Sequence, residues 1–353
     1  MAEGLQTRNV FLDTEVFVAE NFFLQTHKLK ELCKLATEGK IQLLMSTVTV
    51  AECKKRIQKM VNVAGQILSE NKRDLGILRQ APSLDNSCLR TLEKQKVISE
   101  ITEKFGAFVR DFKVTICPLA GVSIEKLFSD YISGNPPFGE EQKKDQFPDA
   151  AAMLCLSNWC NSQGQSAYVI SKDNDIASVC KVQPSFIHLN GVADFLDLFH
   201  KTEKALSELA ETLFAENTEL ISKVIAAQFE AKGFIVTGEL GEVERVAVND
   251  VSIADAKLIS LQDDYARFEA TATIDFWSDV TYSDSSTGWY DNEDGQYYGQ
   301  EDVHEHKELV ETFLIEVEIE FSASPPHNPH LTISLGADDI EIEVSDEDPN
   351  HWK

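Results

Sequence analysis

The chain lacks any apolar run long enough to cross a membrane, although 43% of its 353 residues are hydrophobic. Its first residues, Met-Ala-Glu-Gly, lack the basic start and the apolar core of a secretory signal. These two absences predict a cytoplasmic protein with no membrane contact. The sequence also has no pair of cysteines separated by two residues, and this absence argues against a structural zinc site.

Cysteine is absent from the chain after residue 180. Several of the cysteines before that point lie within apolar patterns, as expected for reduced thiols in the core of a cytosolic protein. The full set is Cys33, Cys53, Cys88, Cys117, Cys155, Cys160 and Cys180.

Lysine and arginine are scarce in the second part of the chain. Residues 1–200 hold 23 basic and 24 acidic residues, a net charge of −1, whereas residues 201–353 hold 9 and 35, a net charge of −26. This break predicts two domains, 1–200 and 201–353, of which the second repels nucleic acid at long range. Residues 51–113 carry 13 basic and 8 acidic residues, so a polyanion that binds the chain is expected there. A solvated helical surface explains the same charge equally well.

Apolar runs alternate with segments of helical spacing over the first 200 residues. This order is typical of an α/β fold in which helices cover both faces of a mostly parallel sheet. The expected strands are Asn9–Leu12, Ile41–Met45, Val114–Cys117, Ala167–Ser171 and Phe186–Leu189. The expected helices are Glu20–Glu38, Thr49–Leu78, Leu89–Phe112 and Pro148–Asn161, and Ser133–Phe147 is expected to be a loop.

The pattern changes after residue 200. One long amphipathic helix is expected over Glu203–Glu230, and the segments that follow it alternate with period two. Strands without intervening helices predict an antiparallel sheet with one face in water, so the second domain is expected to be α+β. Residues 279–302 hold seven acids and no Lys or Arg, and they are expected to form a long hairpin loop. The expected strands are Arg245–Val248, Lys257–Leu261, Arg267–Phe276, Leu309–Phe321, Leu331–Leu335 and Ile340–Val344.

Four acids of the first domain stand where an apolar strand meets a helix or a loop. They are Asp13, Glu52, Asp149 and Asp173. A parallel sheet gathers such residues at the carboxyl edge of its strands, where α/β proteins place their sites. Because grouped carboxylates repel one another, they need a cation, and hard oxygen ligands suit Mg²⁺ or Mn²⁺. The pattern therefore predicts metal-dependent phosphate chemistry, with Asp175 as a further ligand two residues beyond Asp173.

Local structure offers competing explanations for some of these acids. Asp13 is also a typical strand-end turn or helix cap. Glu52 has capping-box spacing to Thr49, in which a Glu reaches back to the first amide of its helix. Asp149 is different, because a helix that begins at Pro148 places this carboxylate in line with the buried stripe rather than on the solvent side. That stripe comprises Ala152, Met153, Leu156 and Cys160.

Four segments together resemble the PIN-domain family of nucleases, over about residues 9–199. Val-Phe-Leu-Asp-Thr resembles the first strand and first acid of the family, which falls on Asp13. Ser-Thr-Val-Thr-Val-Ala-Glu resembles the second strand and helix start, with its acid at Glu52. Lys-Asp-Gln-Phe-Pro-Asp-Ala and Tyr-Val-Ile-Ser-Lys-Asp-Asn-Asp resemble the segments that carry the third and fourth acids, at Asp149 and Asp173.

The resemblance implies a phosphodiesterase that depends on Mg²⁺ or Mn²⁺ and usually acts on RNA. Asp13 and Asp149 would be the central metal ligands, with Glu52 and Asp173 completing the shell. The metal lowers the pKa of a bound water and stabilises charge on the phosphorus oxygens. The expected products carry a 5′-phosphate and a 3′-hydroxyl. By analogy with the family, the biological setting is defence or a toxin–antitoxin arrangement.

Further residues have expected roles beside these acids. Ser171 and Asp175 are candidates for groups that support the metal ligands. Lys143 and Lys144 either hold a substrate phosphate or lie in a solvated loop. Glu15 stands where many PIN domains have Asn, and its charge either binds a further cation or weakens activity.

Another function remains open at this point, a PIN-like binding module that has lost turnover and serves as a platform for nucleic acid or protein.

The role of the acidic domain is a separate question. It either solubilises the protein, contacts a protein partner or restrains the nuclease by competing with RNA for residues 51–113. Self-association into a homo-oligomer is compatible with the sequence.

Overall fold

The computed structural model divides the chain into two compact units, Met1–Thr202 and Glu203–Lys353, here termed the N-terminal and C-terminal units. The predicted fold class is confirmed, since a parallel α/β unit precedes an antiparallel β-rich unit. None of the helices in the described residues combines the length and apolar character that a bilayer span requires. The described residues are 5–71, 92–139, 146–291, 296–322, 327–336 and 339–344, with only the backbone described for 290–298.

A five-stranded parallel sheet forms the centre of the N-terminal unit, in the order β3-β2-β1-β4-β5. The two central strands, β1 and β4, are buried at all four positions, as expected for strands covered on both faces. The chain leaves β1 toward β2 on one side and returns to β4 on the other, so a topological switch point lies between β1 and β4. The strands are β1 Asn9–Leu12, β2 Gln42–Ser46, β3 Thr115–Cys117, β4 Ala167–Ile170 and β5 Phe186–Leu189.

Helices connect these strands. The predicted helix over Glu20–Glu38 is shorter than expected, because Asn21 and Phe22 adopt left-handed φ angles of 47° and 56° that a helix cannot contain. The helices are α1 Thr14–Ala19, α2 His27–Thr37, α3 Thr47–Glu70, α4 Lys94–Asp111, α5 Ile124–Ser133, α6 Phe147–Gln163, α7 Asn174–Val182 and α8 Val192–His200. The six described cysteines are buried and free of disulfides, whereas Cys88 lies outside the described residues.

The C-terminal unit is built on a four-stranded antiparallel sheet in the order β12-β11-β8-β7. Side chains of β8 alternate between buried and partly exposed positions, as predicted for a sheet with one wet face. The helices α9 and α10 contribute to the core against this sheet, where the rings of Phe229 and Phe276 lie 4.7 Å apart. The elements are α9 Lys204–Glu216, α10 Thr218–Glu230, β6 Phe234–Thr237, β7 Leu240–Gln262, β8 Tyr265–Asp284, β9 Trp289–Asp291, β10 Gln296–Tyr298, β11 Glu301–Glu320, β12 His330–Ser334 and β13 Ile340–Glu343.

Two predictions for the C-terminal unit are wrong in extent. The single helix expected over Glu203–Glu230 is two helices, because Asn217 leaves the helical conformation and its side-chain amide donates a hydrogen bond to the Leu213 carbonyl at 2.8 Å. The loop expected over 279–302 is shorter, because β8 and β11 pair without interruption as far as Asp284 and Glu301. The small hairpin of β9 and β10 occupies part of the remaining connection.

Candidate active site

Asp13 follows the central strand β1 and begins the helix α1. Its Oδ1 accepts a hydrogen bond from the Thr14 amide at 2.7 Å, and its Oδ2 accepts one from the Ser171 hydroxyl at 2.9 Å. The side chain is only 7% exposed. Asp13 is therefore the helix cap that local reasoning suggested, and it also lies at the switch point of the sheet.

Ser171 connects the ends of the two central strands. It is 1% exposed, and its hydroxyl oxygen accepts a hydrogen bond from the Asp173 amide at 3.1 Å while it donates to Asp13. Asp173 begins α7, and its Oδ1 accepts a hydrogen bond from the Asp175 amide at 2.7 Å. One buried hydroxyl thus fixes the carboxylate after β1 relative to the backbone after β4.

Glu52 reaches the same edge of the sheet from α3. Its Oε2 accepts a hydrogen bond from the Thr14 hydroxyl at 3.3 Å. The capping-box explanation is wrong, because α3 begins at Thr47 and its cap is Ser46, whose hydroxyl accepts from the Thr49 amide at 2.9 Å. A serine at the end of a strand is a strong helix cap in its own right, so Glu52 lies beyond the first turn. Its side chain is free to approach α1 instead.

Asp149 lies in the first turn of α6, directly after Pro148. Its carboxylate has no hydrogen-bond or ion-pair partner among the described residues, and the residue is partly buried. Burial raises the pKa of Asp149 to about 7, and the charges of Asp13, Glu52, Asp173 and Asp175 act in the same direction. Acids from three other segments of the chain therefore influence the charge of Asp149.

The pKa of Asp13 is raised as well, to about 6, chiefly because its burial disfavours the charged form. Hydrogen bonds from Ser171 and Thr14 oppose this shift, whereas the charges of Glu52 and Glu15 add to it. Burial also raises the pKa of Glu52, with its hydrogen bond from Thr14 and the nearby Arg56 and Lys55 acting in the opposite direction. Negative charge is thus concentrated at this edge of the sheet in a partly dehydrated environment.

A divalent cation would relieve this repulsion, and the donors suit one. Carboxylate oxygens are the preferred ligands of Mg²⁺ and Mn²⁺. As the side chains stand, no three acidic, histidine or cysteine residues in the described part of the chain are close enough together to hold an ion. The donor chemistry and the charge therefore fit a metal, while the bound arrangement would require side-chain movement.

Gln146 is a residue of this region that the sequence did not single out. It is 5% exposed, and its Nε2 donates a hydrogen bond to Asp175 Oδ2 at 2.5 Å. That bond fixes the orientation of the amide, and the buried Oε1 then has no partner within the described residues. An unpaired, buried carbonyl oxygen next to Asp175 is also a suitable ligand for a hard cation. Its position immediately before the Phe-Pro-Asp start of α6 is the one signal in the sequence that could have identified it.

Glu15 has a structural partner. Its Oε2 accepts a hydrogen bond from the backbone amide of Lys172 at 3.1 Å, which ties the segment after β4 to α1. The charge also contributes to the raised pKa of Asp13. Lys143 and Lys144, which were expected to hold phosphate or lie in a solvated loop, fall outside the described residues.

Residues 10–176 match the family model of the PIN domain. This range begins within β1 and ends within α7, so it contains every acid described above. The C-terminal unit has no family match. No curated protein and no solved structure gives a match to the chain.

Proposed function

We propose that the N-terminal unit, whose residues 10–176 match the family model of the PIN domain, is a metal-dependent endoribonuclease. PIN domains are generally nucleases, so hydrolysis of phosphodiester bonds in nucleic acid follows from the family. RNA as the substrate and Mg²⁺ or Mn²⁺ as the cofactor are the further steps of the proposal. The observation that supports it is the hydrogen-bonded arrangement in which Ser171 and Thr14 hold Asp13 and Thr14 also holds Glu52, together with the influence of the surrounding acids on the pKa of Asp149.

In the proposed site, Asp13 and Asp149 hold the cation, and Glu52 and Asp173 complete its shell. When bound, the metal supplies a water of lowered pKa and positive charge for the phosphorus oxygens. Asp175 is a further ligand in this proposal, and Ser171 is a positioning residue.

The protein's own contribution is to hold these acids in place before substrate arrives. Ser171 holds one oxygen of Asp13, and Thr14 connects Asp13 to Glu52 through its amide and its hydroxyl. The burial of Asp13 removes competing water from the ligand oxygens. Because the pKa values of Asp13 and Asp149 are raised, a bound cation would favour the charged forms of these two acids.

Cleavage of a labelled single-stranded RNA by the full chain tests the proposal. The wild type should cleave it with Mg²⁺ or Mn²⁺, stop when EDTA is added, and leave 5′-phosphate and 3′-hydroxyl ends. Asp149→Asn should reduce kcat at least a hundredfold, whereas Asp111→Asn, the same change at an exposed position near the end of α4, should not. Cleavage that survives EDTA or Asp149→Asn would refute the assignment.

A binding module without turnover is the second candidate. It is favoured by one observation, that no three metal-binding side chains of the described residues stand close enough to hold an ion. Under this alternative, the wild type binds RNA but cleaves neither RNA nor DNA with any divalent cation.

We also propose that the acidic residues 201–353 act as a regulatory or partner-binding domain of the nuclease. The support is their net charge of −26, carried by 35 acidic and 9 basic residues. Such a charge competes with RNA for cationic surfaces. Ending the chain at Thr202 should then raise cleavage at low salt, and unchanged cleavage and RNA affinity in a folded truncation would contradict the proposal.

A further inference from the structure

A groove of about 970 Å³ opens beside Glu52 and follows the helix α3. One of its walls includes Pro148, the neighbour of Asp149, so the groove begins at the proposed catalytic acids. Its lining comes from one face of α3, the start of α4 and the start of α6.

The groove is positively charged. Lys55, Arg56, Lys59 and Lys94 contribute four cations, and Glu52 is the one acid that the described part of the chain places in the lining. Lys55, Arg56 and Lys59 are exposed, and none of them forms a salt bridge among the described residues, although Lys55 and Arg56 lie near enough to Glu52 to lower its pKa. A ligand that brings phosphates would therefore not have to break existing ion pairs.

The cations follow the helix away from the acids. Lys55, Lys59, Asn62 and Gln66 succeed Glu52 at steps of three or four residues, which places them on one face of α3. From Glu52 to Gln66 this face extends about 21 Å at the α-helical rise of about 1.5 Å per residue. The length is sufficient for several successive phosphates of one strand.

Lys94 joins this face because Gly65 leaves room for it. A Cβ at Gly65 would lie 2.5 Å from Lys94 Cε and 3.2 Å from a methyl of Leu92. With no side chain at Gly65, Lys94 crosses α3, and its Nζ lies 3.5 Å from the Asn62 carbonyl oxygen. The fourth cation thus reaches the groove from another helix.

We propose that this groove binds the sugar–phosphate backbone of the nucleic acid whose scissile bond lies at the acids. The proposal rests on the proposed nuclease function. Cations and side-chain amides are the groups that hold phosphates and riboses. Among the described residues, the lining contains no aromatic side chain and thus no platform on which bases stack. Binding through the groove should therefore depend on charge and length and be almost independent of base sequence.

The test measures binding in a full-length chain that carries Asp149→Asn, so that no substrate is consumed. A fluorescent 12-nucleotide single strand of RNA is titrated at several KCl concentrations, and a duplex of the same length forms a parallel arm. The groove variant is Lys55→Gln with Lys59→Gln. The control is Lys54→Gln with Lys104→Gln, which removes the same charge from exposed positions outside the groove lining.

Loss of two phosphate contacts to a single strand should lower the slope of log K against log salt by about 1.4 and weaken binding about 20-fold at 0.1 M salt. The control should change the affinity less than threefold. In the wild-type background, the groove variant should raise KM and leave kcat within a few fold, because these residues do not touch the reacting bond. The single strand should bind more tightly than the duplex, and the reverse order would overturn the assignment of the groove to one strand.

Failure of this inference is distinguishable from failure of the nuclease. If the wild type cleaves RNA while the groove variant keeps the affinity and the salt slope of the control, the groove assignment is overturned and the nuclease stands. If the groove variant loses affinity but the wild type cleaves nothing, the groove assignment stands and the nuclease falls. A chain that neither binds nor cleaves nucleic acid overturns both, and a difference above tenfold between oligo-U and oligo-A overturns the base-independent mode.

Discussion

Replacing Asp149 by Asn should stabilise the metal-free protein at pH 8 while it abolishes cleavage. The pKa of Asp149 is raised from 3.8 to about 7, because the carboxyl group is buried and other acids surround it. A raised pKa in the folded state means that folding disfavours the charged carboxylate. The contribution of Asp149 to the free energy of unfolding is therefore fully present below about pH 4, where the carboxyl group is protonated in both states. It is lost as the pH rises through about 7. Asn has the same shape and carries no charge, so it should remove this loss.

The size of the effect follows from the shift. A change of about 3 units corresponds to about 4 kcal/mol at 1.36 kcal/mol per unit. Asp149 is partly exposed, so solvent screens part of this energy. The shift also includes repulsion by Asp13, whose own pKa of about 6 leaves it partly protonated below neutral pH. We therefore expect a gain of about 2 kcal/mol at pH 8 and almost none at pH 4.

Native-state hydrogen exchange in EDTA measures this gain. The amides of β1 and β4 report the N-terminal unit alone, which matters because a chain of two units need not unfold in one step. Asp149→Asn should slow exchange of these amides at pH 8 relative to wild type, after correction for intrinsic rates, and the Asp111→Asn control should not. Equal or faster exchange in Asp149→Asn at pH 8 would refute the electrostatic reasoning.

The remaining predictions concern the groups around the acids. Mn²⁺ at about 100 times its Kd should stabilise the wild type by about 2.7 kcal/mol and Asp149→Asn by much less. The measurement is the shift in Tm on adding Mn²⁺, and equal shifts in the two proteins would contradict metal binding at Asp149. Ser171→Ala leaves Asp13 Oδ2 without its donor, so it should cost about 1–3 kcal/mol and move the acidic limb of the kcat/KM profile to higher pH; an unmoved limb would show that Ser171 does not act on Asp13. Glu15→Gln keeps an oxygen that accepts from the Lys172 amide, so cleavage should stay within about threefold of wild type, and a tenfold rise would show that the Glu15 charge represses activity.

The sequence revealed the acids because each is marked by its near neighbours. Asp13 ends an apolar strand and Asp149 follows a helix-starting proline, and both signals lie within a few residues of the acid. The parallel order of strands then implied that the two acids meet. In the structure Asp13 lies at the switch point between β1 and β4, and its charge acts on Asp149, while the joint binding of a cation by the two acids stays a prediction.

Contacts between distant segments were beyond such reasoning. The hydrogen bond from the Lys172 amide to Glu15 joins residues far apart in the chain, and no local pattern distinguishes it from an extra charge in the site. Gln146 belongs to the site because its amide donates a hydrogen bond to Asp175, a contact that no local pattern indicates. Both depend on how α1, α6 and α7 pack at one sheet edge, which strand order does not determine.

Local competition explains the errors in element boundaries. Thr49 and Glu52 have the spacing of a cap, yet Ser46 precedes them at the end of β2 and begins the helix earlier. Asn217 interrupts a continuous apolar stripe because its own side chain bonds the backbone of the preceding turn. Hydrophobic periodicity predicts neither effect, because it depends on which face of a helix is apolar and not on where the helix begins or ends.

A crystal structure of the full chain grown with Mn²⁺, with anomalous data collected at the manganese edge, tests the proposed metal site most directly. We expect an anomalous peak with oxygens of both Asp13 and Asp149 about 2.0 to 2.2 Å away, the range in which carboxylate oxygens bind small divalent cations. The peak should vanish in crystals of Asp149→Asn. Manganese bound elsewhere on the chain, with Asp13 and Asp149 still apart and free of metal, would contradict the proposed site.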